Sequence, residues 1–344
     1  MLQLLLWSLL GAAGRLVLVL FFLWLAKELT MGICKFENHR LDGKIAVITG
    51  GTSGIGLETA IHLAKRGCHL IIGYRNQRKM KTAESIIESH APEAKLDFLE
   101  LQLTSTKSIN MFIEEVYALT SLTGIQILIN NAGLFCIEED SLGQPVKNYT
   151  EDGFELVMGV NYFGHVILTE GLLDLLETNE NTADPGRIIT LSSIGHIMGP
   201  LNTNDFDLNA NVRPYNPNYQ YNASKMALIH WTNRLARDLR ASRKNVVCTS
   251  VNPGLVRTNI FADTVPARVK YFMEIIFCIL GKNTEQGCQS VLHACLSPRT
   301  DALNGYYLSD CRQEKLIISS QVYNENAEDL LWEYTQDLIS TVLS

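Results

Sequence analysis

The 344-residue chain is 47% hydrophobic and 19% charged, with a net charge of −7. This balance excludes an intrinsically disordered chain, and nucleic-acid binding is not expected, because neutralising phosphates needs a basic face. Eight cysteines, scattered without a C-x-x-C pair, read as buried or free thiols and not as a disulfide framework or zinc site, so no metal is expected.

Residues 1–28 carry an apolar run from Leu4 to Ala26, interrupted by Arg15. A helix crossing a bilayer needs about 20 apolar residues, so the run is long enough. Two alternatives stay open: a cleaved signal peptide, with Gly11, Ala12, Ala13 and Gly14 near the cut, and an interfacial helix or monotopic hairpin. No basic stretch precedes the run, and it resumes after Arg15, which favours a retained anchor. Lys27, Lys35, Arg40 and Lys44 follow it, so the positive-inside rule puts the rest of the chain on the cytosolic side. Cleavage would instead leave a secreted or lumenal protein. Residues 29–40 read as a linker and 41–344 as one domain.

A regular alternation begins at Ile45. Ile45–Thr49, His69–Gly73, Phe98–Leu103, Ile125–Asn130, Arg187–Ser192 and Asn245–Val251 read as short apolar strands. Glu58–Arg66, Lys79–Ser89, Ser108–Ala118, Glu155–Leu176 and Ala223–Leu239 read as helices between and after them. Apolar strands alternating with helices indicate a parallel sheet covered on both faces. The expected architecture is a single α/β, Rossmann-type doubly wound domain, in which ligands bind beyond the carboxyl ends of the strands. Thr203–Tyr219, rich in Asn and Pro, reads as a surface insertion.

Three groups of residues carry chemistry. The turn Thr49-Gly50-Gly51-Thr52-Ser53-Gly54-Ile55-Gly56 joins the first strand to the first helix of the domain. Its glycines permit a tight turn and close backbone approach, and the helix N-terminus favours a pyrophosphate. After the second strand stands Gly73-Tyr74-Arg75-Asn76, without the carboxylate that would hold a ribose 2′-hydroxyl. Arg75 can pair instead with a 2′-phosphate, which favours NADP(H) and leaves NAD(H) as the second choice; the bland alternative is a solvated arginine beside Arg78 and Lys79. Finally, Tyr221 and Lys225 share a helix face. An adjacent ammonium lowers a tyrosine pKa from about 10, so such a pair can exchange a proton with a carbonyl or alcohol oxygen.

Taken together, the chain from Leu41 to about Cys311 resembles the short-chain dehydrogenase/reductase family. The resemblance rests on the glycine turn, Asn130-Asn131-Ala132-Gly133, Asn161 in a helix reading Asn161-Tyr162-Phe163-Gly164-His165, and Ser192-Ser193. It rests also on Tyr221 with Lys225, and on Asn252-Pro253-Gly254-Leu255-Val256-Arg257-Thr258. It implies Tyr221 as acid/base, Lys225 as holder of the nicotinamide ribose, and Ser193 rather than Ser192 as partner of the substrate oxygen. Asn161 would hold a water linking Lys225 to solvent. Asn131, Ala132 and Gly133 would floor the adenosine and ribose site; Pro253, Gly254 and Val256 would line the carboxamide pocket, with Thr258 near the phosphates. Where the family often has Asp-Leu against the adenine, this chain has Gln102-Leu103, whose amide still offers a donor and an acceptor.

The long gap from Ser193 to Tyr221, Asp207-Leu208-Asn209, Tyr215 and the Gly305-Tyr306-Tyr307…Asp310-Cys311 ending resemble the retinol dehydrogenase group. The Gly50-Gly51-Thr52 turn and the tail around Trp332 also look like the X-linked, polyprenol dehydrogenase-like branch. The apolar segment 260–281 is expected on the substrate side. These features imply an NAD(P)(H)-dependent enzyme of the endoplasmic reticulum or a related membrane, acting on a lipophilic alcohol or carbonyl of retinoid, isoprenoid or sterol type. A homo-oligomer is compatible with the resemblance. The competing reading is a non-catalytic, nucleotide-binding membrane scaffold or sensor, which would be expected to lose Tyr221, Lys225 or Ser193.

Overall fold

The structure is a computed structural model. It describes residues 11–30, 32–35, 39–120, 122–177, 184–206, 215–257, 281–299 and 303–342, together with 271, 274 and 277. An N-terminal helix, α1 (Ala12–Thr30), precedes the domain. It leaves Leu16, Val17, Phe21, Phe22 and Trp24 exposed. Among the described residues, the helix that is long and apolar enough to cross a membrane is a different one, Leu156–Leu176, and 78% of it is buried inside the domain. It belongs to the core.

Six strands form near the apolar runs, the third two to three residues earlier than Phe98–Leu103: β1 (Ile45–Thr49), β2 (His69–Tyr74), β3 (Leu96–Glu100), β4 (Ile127–Asn130), β5 (Gly186–Leu191) and β6 (Val246–Asn252). Two more, β7 (Tyr306–Ser309) and β8 (Arg312–Gln313), extend the sheet beyond the expected six. The strand order is β3-β2-β1-β4-β5-β6-β7-β8. Every pair is parallel except β7 with β8. The order reverses between β1 and β4, which opens a crevice at their carboxyl ends.

Side chains alternate along a strand, so each strand feeds two cores. Ile45, Val47, Ile71, Leu128, Ile188 and Cys248 pack with Phe112, Tyr162, Trp231 and Leu331 on one side. Ala46, Ile48, Leu70, Ile72, Ile129 and Val247 pack with Ile61, Leu63, Val291 and Leu292 on the other. The helices supplying these partners are α2 (Gly54–Ala64), α3 (Gln77–His90), α4 (Thr106–Thr120), α5 (156–177), α6 (Pro217–Ala241), α7 (Thr284–Leu296) and α8 (Glu325–Val342). Seven described cysteines are free thiols, six of them buried.

Three local differences from the sequence reading have plain causes. The insertion ends at Asn216 and not at Tyr219: Asn216 accepts hydrogen bonds from the amides of Asn218 (3.0 Å) and Tyr219 (3.3 Å), and Pro217 takes the first helical position of α6. Residues 207–214 of that insertion lie outside the described residues. The helix at 156–177 is not α-helical throughout, because Gly159–Phe163 form a π turn. Helix α7 was not expected, yet Asn283 and Gln286 form a reciprocal capping box at its start, a signal present in the sequence.

Candidate active site

The crevice is a cleft of about 590 Å³ at the carboxyl ends of β1, β4, β5 and β6. Its floor is built where the chain leaves β1. Gly50 and Gly54 adopt φ of +65° and +58°, conformations that favour glycine. A Cβ on Gly56 would stand 2.4 Å from Asn131 Nδ2 and from the Gly50 carbonyl. Gly50, Thr52, Ser53, Gly54, Ile55 and Gly56 all line the cleft, with the N-terminus of α2 open to it. That backbone cradle, with no room for a side chain at Gly50 or Gly56, fits a pyrophosphate.

Behind the turn lies a network that the sequence reading missed. Thr49 Oγ1 accepts from the amides of Asn131 (3.0 Å) and Ala132 (2.9 Å). Asn131 Nδ2 donates back to the carbonyls of Thr49 (2.8 Å) and Gly50 (3.2 Å). His165 completes the network: its Nδ1 donates to the Asn161 carbonyl (3.1 Å), so Nε2 accepts from the Thr49 hydroxyl (2.9 Å). Burial lowers the His165 pKa to about 4 and keeps the ring neutral. Asn131, Ala132 and Gly133 line the cleft, Asn131 and Ala132 held by Thr49 of β1.

At the end of β2, Arg75, Asn76 and Lys79 line the cleft together. Asn76 caps α3, accepting from the Lys79 amide (3.0 Å), which sets Lys79 on the first turn of that helix. Lys79 is therefore an added candidate for the cofactor site. The Asn cap three residues before it was the available signal. Gln102 behaves otherwise. Its Nε2 donates to Glu100 (3.0 Å), and it lines a separate surface pocket of about 290 Å³, while Leu101, Leu103 and Thr104 line the cleft. Leu101 is buried and turns inward, while Gln102 stays at the surface with Glu100. Thr258 lies outside the described residues, as does most of 260–281.

Ser193, Tyr221 and Lys225 meet at the opposite end. Ser193 follows β5 and caps a short 3-10 turn, Ile194–Met198, accepting from the Gly195 amide (3.1 Å). The nearby Ser193 side chain draws the Tyr221 phenol pKa down, but burial raises it by more. Ser192 is committed elsewhere: its hydroxyl donates to the Lys225 carbonyl (2.8 Å). The expectation that Lys225 lowers the Tyr221 pKa is not met in this geometry. The Lys225 ammonium donates to the Leu191 carbonyl (2.9 Å) and lies 5.6 Å from the Tyr221 ring centroid, and burial lowers its own pKa to about 8. Phe135 packs edge-on against the Tyr221 ring at 5.3 Å.

Asn161 sits at the centre of the π turn and ties the two halves of the site together. Its Nδ2 donates to the Leu134 carbonyl and to Ser224 Oγ (both 3.0 Å), and its Oδ1 accepts from the Leu134 amide (2.7 Å). Both amide hydrogens are used, so a water held by this side chain would sit on Oδ1. On the far side of the cleft, Pro253, Gly254 and Val256 line the wall in the stretch that leaves β6.

A family model described as short chain dehydrogenase matches residues 44–204 and 209–268. The chain is 32% identical to polyprenol dehydrogenase of Homo sapiens, across 84% of this chain and 83% of that one. It is 33% identical to retinol dehydrogenase 12 of Mus musculus, across 90% of each. A 3-ketoacyl-(acyl-carrier-protein) reductase from Brucella melitensis, solved with NADH, is 20% identical, with a TM-score of 0.58 over 78% of this chain and 96% of that one; this likeness shows the fold. With the doubly wound sheet, the glycine cradle and the Ser–Tyr–Lys group in one cleft, these matches establish that the chain belongs to the short-chain dehydrogenase family of NAD(P)-dependent oxidoreductases.

Proposed function

We propose that the protein interconverts a lipophilic alcohol of retinoid, long-chain isoprenoid or sterol type with its carbonyl form, preferring NADP(H), while anchored to a membrane by residues 1–28 with residues 41–344 facing the cytosol. The observation that carries this reading is the convergence of Ser193, Tyr221 and Lys225 at one end of a cleft whose other end presents Arg75 and Lys79. A bound nicotinamide supplies or accepts the hydride. Tyr221 donates its phenolic proton to the carbonyl oxygen during reduction, and takes the proton back from the alcohol during oxidation. Ser193 holds that oxygen by a hydrogen bond. Lys225 sits against Leu191 and Tyr221, where a ribose hydroxyl can reach its ammonium. Since burial keeps Tyr221 protonated at neutral pH, the site is set for proton donation, and oxidation accelerates on the alkaline side.

Three observations support the finer points. Two cations and a helix N-terminus at the end of β2 favour a 2′-phosphate over a bare ribose. Ile194, Ile197 and Met198, which directly follow Ser193, are exposed large apolar side chains suited to a lipid chain. The matched relatives carry retinol and polyprenol in their names.

The test is NADPH and NADH oxidation by detergent-solubilised protein with retinal, a polyprenal and a short water-soluble aldehyde. Tyr221→Phe is expected to lower kcat by about 10²–10⁴-fold with cofactor affinity nearly unchanged. Arg75→Ala is expected to raise the NADPH KM about tenfold or more and leave the NADH KM within about twofold, the loss of one charge-assisted pair. Faster turnover of the short aldehyde would reject the lipophilic reading. Cofactor binding without turnover of any substrate would favour the scaffold or sensor alternative.

A further inference from the structure

We propose that Lys282 and Asp310 are positioning residues that fix the loop receiving the nicotinamide; this rests on the dehydrogenase reading above. The loop Pro253–Val256 leaves β6 through Gly254, at φ +85°. It is held against Lys282 by an isolated bridge outside the main sheet. The Lys282 amide donates to the Leu255 carbonyl (2.7 Å), the Arg257 amide donates to the Lys282 carbonyl (2.9 Å), and Val256 and Lys282 form a parallel bridge. From there the Lys282 side chain doubles back beneath the loop. A Cβ on Gly254 would stand 2.9 Å from both Cε and Nζ of Lys282.

The ammonium ends in a buried junction. It donates to Asp310 Oδ1 (2.6 Å) and to the Pro253 carbonyl (3.4 Å), and Lys282 is only 7% exposed. Asp310 is placed with equal care. It directly follows β7 with φ +50°, and Cys311 follows with φ +59°, both in the left-handed region that non-glycine residues seldom adopt. Its Oδ1 also accepts from the Gly32 amide (3.3 Å), so the segment after α1 reaches the same carboxylate. A buried lysine without its partner leaves an uncompensated charge, so the pair holds its geometry firmly. Toward the cleft the ammonium meets the backbone of Pro253 and packs under Gly254, where the nicotinamide carboxamide pocket is expected. The pair therefore acts on cofactor affinity and stands apart from the proton transfer at Tyr221.

The experiment uses full-length protein in detergent, with NADPH and NADH titrated by cofactor fluorescence and the tighter of the two carried forward. Lys282→Met is expected to raise its Kd and KM about tenfold or more, with kcat at saturating cofactor within about threefold of wild type. Lys282→Arg, which keeps the charge, is expected to recover most of that loss. The double variant Lys282→Met/Asp310→Leu removes both charges and leaves neither buried alone; it is expected to keep the weakened cofactor binding while regaining thermal stability. A lowered Tm with unchanged cofactor Kd in the single and double variants would make the pair merely structural and overturn the proposal. Because Kd is read without turnover, the result stands whether or not the substrate assay succeeds.

Discussion

Burial sets the protonation states around the reaction end. It raises Tyr221 and lowers Lys225 to about 8, so the free protein presents a neutral phenol beside an ammonium that titrates within reach of physiological pH. His165 shows the same effect with a clearer consequence. The fold holds its pKa at about 4, below the unfolded value of about 6.5. Between those two values the unfolded chain binds a proton that the folded chain refuses. The stabilising contribution is thus complete above pH 6.5 and is lost as pH falls towards 4. His165→Gln is expected to remove this dependence. Its unfolding free energy relative to wild type should shift by on the order of 3 kcal/mol between pH 7 and pH 4, read by urea denaturation. Parallel pH curves for the two proteins would show that the ring is not held neutral.

The glycine turn and α2 illustrate how an element is tuned against its own propensity. Alanine in place of a helical glycine ordinarily stabilises by about 1 kcal/mol. At Gly56 the added methyl would stand 2.4 Å from Asn131 Nδ2 and the Gly50 carbonyl, too close to be relieved without moving the turn. Gly56→Ala is therefore expected to weaken cofactor binding by tenfold or more, measured by fluorescence titration, in spite of the helix propensity gain. Tighter binding would show that the cradle has slack. The π turn in α5 has a comparable purpose. One extra residue in the turn lets Asn161 reach both Leu134 and Ser224, linking the loop after β4 to α6.

For the molecule as a whole, the sheet and its two cores take in no described side chain from α1. That helix exposes Leu16, Val17, Phe21, Phe22 and Trp24, a poor arrangement in water and a good one in lipid. Deleting residues 1–30 is expected to move the protein from the membrane pellet to the supernatant. Cofactor Kd should stay within about threefold, because Gly32 and its bond to Asp310 are kept. Continued pelleting through an alkaline carbonate wash would place the membrane contact elsewhere in the chain.

Much of this architecture was legible from local signals. Apolar runs such as Ile45–Thr49 and the glycine turn after it announce a strand, a turn and a helix because periodicity and positive φ are properties of neighbouring residues. Tyr221 and Lys225 lie one helical turn apart, but Ser193 joined them only through the family resemblance, and the fold brings all three to one cleft. Other features depend on residues far apart in the chain. Gln102 turns away from the cleft while Lys79 joins it, through the way β3 ends and α3 is capped. Burial, a sum over every packed neighbour, sets the proton affinities of Tyr221 and Lys225. Strand β7 pairs with a β6 more than fifty residues earlier, and Asp310 at its end meets both Lys282 and Gly32. No window of the sequence contains those partners together, and folding is what assembles them.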